Sequence, residues 1–220
     1  MKKLLLVVLL LVSFDLKNKA ISISSPQKIE FKILTEEEIQ NTYFKFVEEV
    51  DAYITKYSPT SKMSAKNLVD VCLEHDMDVV LAMSQAHVES FFGTVGIASR
   101  TNSVFNVGTF DDGTILYRYK HPDYSVEPYV SLMKRRYLIE EKTAQDLLKP
   151  KSFVNNRGKR YATLRFYEYR VSNVYSRIKQ NTNIDSLQNV VKSDMYKRSI
   201  QYHQHVERIN VVLRRQMYPS

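Results

Sequence analysis

Apolar residues recur at three- and four-residue spacing over Ile39, Tyr43, Phe46, Val47, Val50, Tyr53, Ile54 and Tyr57. That stripe predicts an amphipathic helix. Thr35 followed by Glu36, Glu37 and Glu38 supplies its start. The Thr35–Glu38 spacing is that of a capping box, and acids in a first turn complement the helix dipole. The helix ends before Pro59. Ser64 caps a second helix that carries Leu68, Val71 and Cys72 in helical period. Asp76 or Asp78 opens a third, through Val79, Val80, Ala82, Met83, Ala86, His87, Glu89 and Ser90 to Gly93. This third helix is apolar over most of its circumference until its end, which places it in the core.

The period changes after Asn102. Residues 105–110, then Asp111-Asp112-Gly113, then residues 114–119 read as a β-hairpin, because Asp-Gly between β-prone runs is a strong turn signal. Helical period returns from Ser125 to Ile139, and a short helix from Thr143 to Leu148 ends at Pro150. A basic loop covers residues 151–160. The stretch from Tyr161 to Arg215 reads as helical with one interruption near Asn181 to Asp185. The expected fold is therefore α+β and mainly α, with one small hairpin. The expected organisation is a segment 1–20, an extended lead-in 21–34, a domain 35–180 and a C-terminal helical extension 181–220.

The first segment is a targeting signal. Lys2 and Lys3 precede an apolar run from Leu4 to Phe14, which suits a signal-peptide core and falls short of the roughly 20 residues that span a bilayer. The expected destination is outside the cytoplasm: periplasm, cell envelope, extracellular space or a phage virion. Retention of residues 4–14 would give membrane association instead of cleavage. The whole chain of 220 residues carries a net charge of +8. Positive charge suits an anionic polymer such as a cell wall and equally suits solubility. With 44% apolar and 25% charged residues and five glycines, the chain is neither disordered nor collagen-like. The single cysteine, Cys72, excludes an intrachain disulfide and reads as a small buried residue.

The chemistry-bearing stretch is Ser84-Gln85-Ala86-His87-Val88-Glu89-Ser90-Phe91-Phe92-Gly93. Glu89 shares a helix face with Ala82 and Ala86, both small, and lies in the last turn. There the helix dipole and unpaired carbonyls oppose a negative charge. Burial acts in the same direction, so the carboxyl is expected to hold its proton near neutrality. Such a group can protonate the leaving oxygen of a glycosidic bond. The bland alternative is a surface glutamate at a frayed helix end.

This stretch resembles the glucosaminidases of the lysozyme-like superfamily (glycoside hydrolase family 73 and Bax-like relatives). The similarity lies in Gln85-Ala86-x-x-Glu89-Ser90-x-x-Gly93, then Asn102-x-x-Phe105 at the hairpin, then Tyr117-Arg118-Tyr119, Ser125 and Tyr129. It covers about residues 64–140. Phe91-Phe92 replaces the family's Gly-Trp after Glu-Ser, Asn106 replaces a glycine after the Phe, and the hairpin is short. The resemblance implies a lysozyme-like domain acting on peptidoglycan glycan strands, with Glu89 as general acid and Tyr119 near the reacting sugar. It also implies a second acid from the hairpin, for which Asp111 and Asp112 stand; both are also what a bare turn contains. Gln85, Ser90, Asn102 and Phe105 are the candidates for lining sugar subsites. For Asn102 and Phe105 the alternatives are a turn residue and a hairpin core residue.

Other features point to no further chemistry. His87 and Glu89 are two apart, so on a helix they face about 160° away from each other, and His203 and His205 diverge in the same way. No metal and no cofactor are expected. Tyr161, Phe166, Tyr167, Tyr169 and Tyr175 recur at helical spacing and read as core. The basic tail (Lys192, Lys197, Arg198, Arg208, Arg214, Arg215) has interspersed acids and no nucleic-acid motif. The rivals to a hydrolase are a lytic transglycosylase, which also works with one glutamate, and an inactive wall-binding or structural protein.

Overall fold

The structure, a computed structural model, describes residues 34–110, 112–195 and 198. The targeting segment, the lead-in, Asp111 and the basic tail beyond Arg198 lie outside the described residues. In chain order the helices are α1 (Glu36–Tyr57), α2 (Ala65–Glu74), α3 (Val79–Ser90), α4 (Ala98–Thr101), α5 (Val126–Arg136), α6 (Ala144–Leu147) and α7 (Tyr167–Asn181). A 3-10 turn, Pro122–Ser125, leads into α5, and residues 184–195 are helical again. Among the described residues no helix is long and apolar enough to cross a membrane.

The starts follow from short polar side chains. Thr35 Oγ1 accepts from Glu38 N at 3.1 Å while Thr35 N donates to Glu38 Oε2 at 2.8 Å, a complete capping box. Ser64 Oγ accepts from Asn67 N to open α2. Asp78 Oδ1 accepts from Val80 N and Leu81 N, and Gln188 Oε1 takes Val79 N at 2.6 Å. Three of the four orphan N–H groups of α3 are thereby satisfied inside the protein. This is necessary because every residue from Val79 to His87 is buried. Helix α3 packs most extensively on α7, and α2 bridges α1, α3 and α5. Cys72 is fully buried in this core, and desolvation pushes its thiol pKa far up. It is therefore an unreactive packing residue.

The expected β-hairpin over residues 105–119 does not form, and among the described residues there is no strand. The chain does reverse at Asp112-Gly113. Thr109 and Ile115 make one antiparallel bridge, with Phe110 N donating to Thr114 O at 3.0 Å and Leu116 N to Gly108 O at 2.8 Å. The ladder stops there because both arms have other partners. Tyr119 N donates to Thr101 O, and Tyr119 O accepts from Asn102 Nδ2, each at 2.8 Å. On the other arm Val104 and Phe105 are drawn wholly into the core, and Asn106 closes a turn onto Ser103 O. Tertiary contacts override the β-propensity of the segment, and the fold is mainly helical. Gly108, at φ +76°, is required in this reversal, since a Cβ there would collide with the Tyr117 ring.

Two boundaries also differ from expectation. The last long helix starts at Tyr167, not Tyr161, because residues 152–166 are irregular and Tyr161 N is committed to Phe153 O at 3.1 Å. Helix α3 ends at Ser90, not Gly93. Phe91 (φ 45°) and Phe92 (φ 56°) both turn left-handed, with Phe92 N reaching back to Ala86 O and Phe91 N to His87 O. Two serines hold this reversal: Ser58 Oγ donates to Phe91 O and Ser61 Oγ to Phe92 O, each at 2.7 Å.

Candidate functional site

Glu89 ends α3 on the side away from His87. Its flanking segments are the turn after Phe105 and the irregular chain before α7. Asn106, itself left-handed at φ 51°, donates from Nδ2 to Glu89 Oε2 at 2.9 Å and to Glu89 O at 3.1 Å. One amide thus fixes the carboxyl and satisfies a carbonyl of the last helical turn. An asparagine tolerates the left-handed backbone that this reach demands.

Three tyrosines enclose the other side. Tyr129 donates to Gln85 Oε1 at 2.6 Å, and Gln85 Nε2 donates to Tyr167 Oη at 3.0 Å. Since Tyr167 Oη accepts from Gln85, its own proton is free for the Glu89 carboxyl, with which it interacts. Tyr161 stacks on Tyr167 at 5.8 Å and 15° and donates to Phe105 O at 2.8 Å. Burial pushes the pKa of Tyr129, Tyr161 and Tyr167 far up, with the Glu89 charge acting in the same direction. All three remain neutral phenols.

Glu89 therefore sits among neutral groups. Desolvation raises its pKa, and the donors Tyr167 and Asn106 lower it by a smaller amount, so the net shift is upward. Oε1 is shielded from solvent and has no partner of ordinary hydrogen-bond geometry. Oε2 is committed to Asn106, so Oε1 is the oxygen left to carry a proton. In this arrangement the carboxyl can act as a weak, sheltered acid.

The other sequence-derived candidates fall in three places. Gln85 is fully buried in the tyrosine chain just described. Ser90 is also fully buried: its Oγ donates to Val104 O at 2.6 Å and accepts from Gly93 N at 2.8 Å, tying the end of α3 to the following loop. Phe105 lies in the core, stacked on Tyr129 at 3.7 Å. Asn102 and Tyr119 are joined to each other by the hydrogen bond that ends the reversal. Tyr119 is partly buried beside Tyr117, and burial raises its pKa. Asp112 is exposed; its Oδ1 accepts from Thr114 N at 2.8 Å, which holds its pKa down. Gln85 and Glu89 share the Tyr167 hydroxyl as a neighbour, and neither Tyr119 nor Asp112 is among the groups that hydrogen-bond Glu89 or shift its pKa. Among the described residues no three His, Cys, Asp or Glu side chains cluster as a metal ion would need.

Replacing Ser90 with Ala removes both bonds at the end of α3 and leaves Val104 O and Gly93 N without these partners. The expected cost is about 1–3 kcal/mol, read as a lower denaturant midpoint at unchanged slope.

Asn106, Tyr161 and Tyr167 are the site residues that sequence reasoning missed. Asn106 follows the quoted Asn102-x-x-Phe105, where an asparagine beside a turn signals a left-handed position. The two tyrosines recur six apart, which the helical reading absorbed as core spacing. A comparison with known protein families, with curated proteins and with solved structures finds no match.

Proposed function

We propose that the protein cleaves bonds to β-linked N-acetylglucosamine in peptidoglycan glycan strands, with Glu89 as the general acid of a lysozyme-like domain. One observation carries this reading: a carboxyl at the end of a buried helix, with no cation beside it, touched only by neutral donors, with one oxygen fixed by Asn106 and the other shielded from solvent without a hydrogen bond of ordinary geometry. A carboxyl needed only for stability would gain by pairing, whereas a proton donor must stay neutral until charge develops on the departing oxygen. Gln85 and Tyr167 act as positioning residues, since their bonds direct the Tyr167 hydroxyl at the acid. The chain after Asn106 also carries exposed Phe110, Leu116 and Tyr117, and the chain before α7 carries exposed Leu164 and Phe166. These supply apolar faces of the kind on which sugar rings stack. Because Oε1 is shielded, a glycan reaches it only after a covering side chain shifts.

A second reading, a lytic transglycosylase, is favoured by the absence of any carboxylate among the described groups that act on Glu89. A single acid leaves the opposite face of the sugar to its own acetamido group, to a sugar hydroxyl or to water. Digestion of purified walls followed by mass spectrometry distinguishes the readings. Reducing N-acetylglucosamine ends are expected, anhydro ends would establish the transglycosylase, and an intact polymer would reject both.

A further inference from the structure

Charge is segregated along this chain. Residues 35–133 hold seven Lys and Arg against fifteen Asp and Glu, net −8, whereas residues 134–170 hold eleven against four, net +7. A positive balance that served solubility alone would have no reason to gather in one short stretch.

Hydrogen bonds bring the parts of that stretch together. Asn155 Oδ1 accepts from Arg157 N at 2.9 Å and from Lys159 N at 3.0 Å, which closes a tight turn. Asn156 N donates to Arg136 O at 2.9 Å, so the turn is fixed to the end of α5. Beyond it, Val154 and Arg160 form an antiparallel bridge, and Arg160 pairs with Glu168 in the first turn of α7 at 2.9 Å. On these segments Arg135, Lys151, Arg157, Lys159, Arg165 and Arg170 are exposed, and none of the six has an acidic partner among the described residues. Lys66, Lys179 and Lys192, elsewhere on the molecule, each have one within 3 Å. Exposed Leu164, Phe166 and Tyr169 lie among the same cations, with the Arg165 guanidinium 4.9 Å from the Phe166 ring centroid.

This stretch also reaches the acid. Tyr161 donates to Phe105 O, one residue before Asn106, and the Tyr167 hydroxyl interacts with the Glu89 carboxyl. A surface continuous with the reacting group belongs to the polymer that enters it.

We infer that the end of α5, the 151–160 loop and the start of α7 form a binding surface for a negatively charged glycan strand, and that the carboxylates borne by the peptides of peptidoglycan are the anions it takes. This rests on the reading of Glu89 as the acid of a wall hydrolase, and it adds a specificity: neutral polymers of β-linked N-acetylglucosamine bind poorly. Apolar faces beside guanidinium groups suit a ligand that presents sugar rings and anions together, and a guanidinium matches a carboxylate with two parallel donors.

The test is sedimentation of the Glu89→Gln chain with insoluble polymer, which needs no cleavage. Peptidoglycan stripped of phosphate-bearing polymers by hydrofluoric acid is expected to retain the protein, and chitin to retain it at least about tenfold less well. Retention should fall by at least about tenfold between about 50 and 300 mM NaCl, and equally when the peptidoglycan carboxyls are amidated. Arg157→Glu with Lys159→Glu, at exposed side chains, is expected to weaken binding by at least about tenfold with an unchanged melting temperature. Lys45→Glu with Lys62→Glu makes the same change in net charge outside the stretch and is expected to alter binding by less than about twofold. The inference is overturned by equal retention on chitin, by salt-independent binding, by equal weakening in the two double variants, or by loss of binding on removal of the phosphate polymers. Charge-dependent retention by a wild-type chain that cleaves no wall would support the surface and reject Glu89 as the acid. Wall cleavage with charge-independent retention would do the reverse.

Discussion

Glu89→Gln is expected to slow clearing of peptidoglycan suspensions by about 10²–10⁴-fold, the usual contribution of a general acid, while making the protein more stable at pH 7. The two effects have one cause. Folding raises the Glu89 pKa through desolvation, so the folded state holds a proton that the unfolded chain releases. Stability from this group is fully present below the unfolded value of about 4.5 and is lost as pH rises through the folded value. Glutamine keeps the shape and still accepts from Asn106, without the cost of a buried charge. A gain of about 1 kcal/mol at pH 7, or roughly 2–4 °C in Tm, should shrink to nothing below about pH 4.5. Thermal melts at pH 4 and pH 7, beside turbidity assays, read both. Unchanged clearing would remove Glu89 from the chemistry, and unchanged Tm at pH 7 would mean that the carboxyl is not sheltered.

Gln85→Ala is expected to cost about 3–5 kcal/mol, the largest loss of stability in the site. Gln85 is fully buried with both ends of its amide in use, accepting from Tyr129 and donating to Tyr167. Truncation strands two phenol groups in the core at about 1–3 kcal/mol each and adds a cavity. It also frees the Tyr167 hydroxyl to turn away from Glu89, which raises the acid's pKa further and moves the alkaline limb of any pH–rate profile upward. A double-mutant cycle with Tyr129→Phe isolates the link, because each change removes the same 2.6 Å bond. Strictly additive costs would show that the chain does not act as a unit.

Much of the helical frame was legible in short-range signals. Thr35, Ser64, Asp78 and Thr143 are the caps that the structure shows, and α3 is buried all round, as its apolar circumference requires. The upward pKa shift of Glu89 was legible in part: its small neighbours Ala82 and Ala86 are local facts that point to burial, and desolvation is the cause that the structure shows. The hairpin was not, since Asp112-Gly113 fixes only the reversal. Whether the arms then pair depends on Thr101, Asn102 and the core that swallows Phe105. The tyrosine enclosure was hidden for the same reason. Tyr161 and Tyr167 meet Glu89 across more than seventy residues, and their spacing of six fits a helix as readily as a loop entering one.

The two left-handed phenylalanines after Ser90 have a bearing on where the acid stands. Residues with side chains resist that backbone at a cost of about 1–3 kcal/mol each, and here the α1–α2 connection restrains it, through Ser58 and Ser61 gripping successive carbonyls. The linkage works as a latch between a surface loop and the tip of an interior rod. Lengthening or shortening residues 58–64 would slide that tip, so an insertion remote from the carboxyl would misplace its proton without touching it.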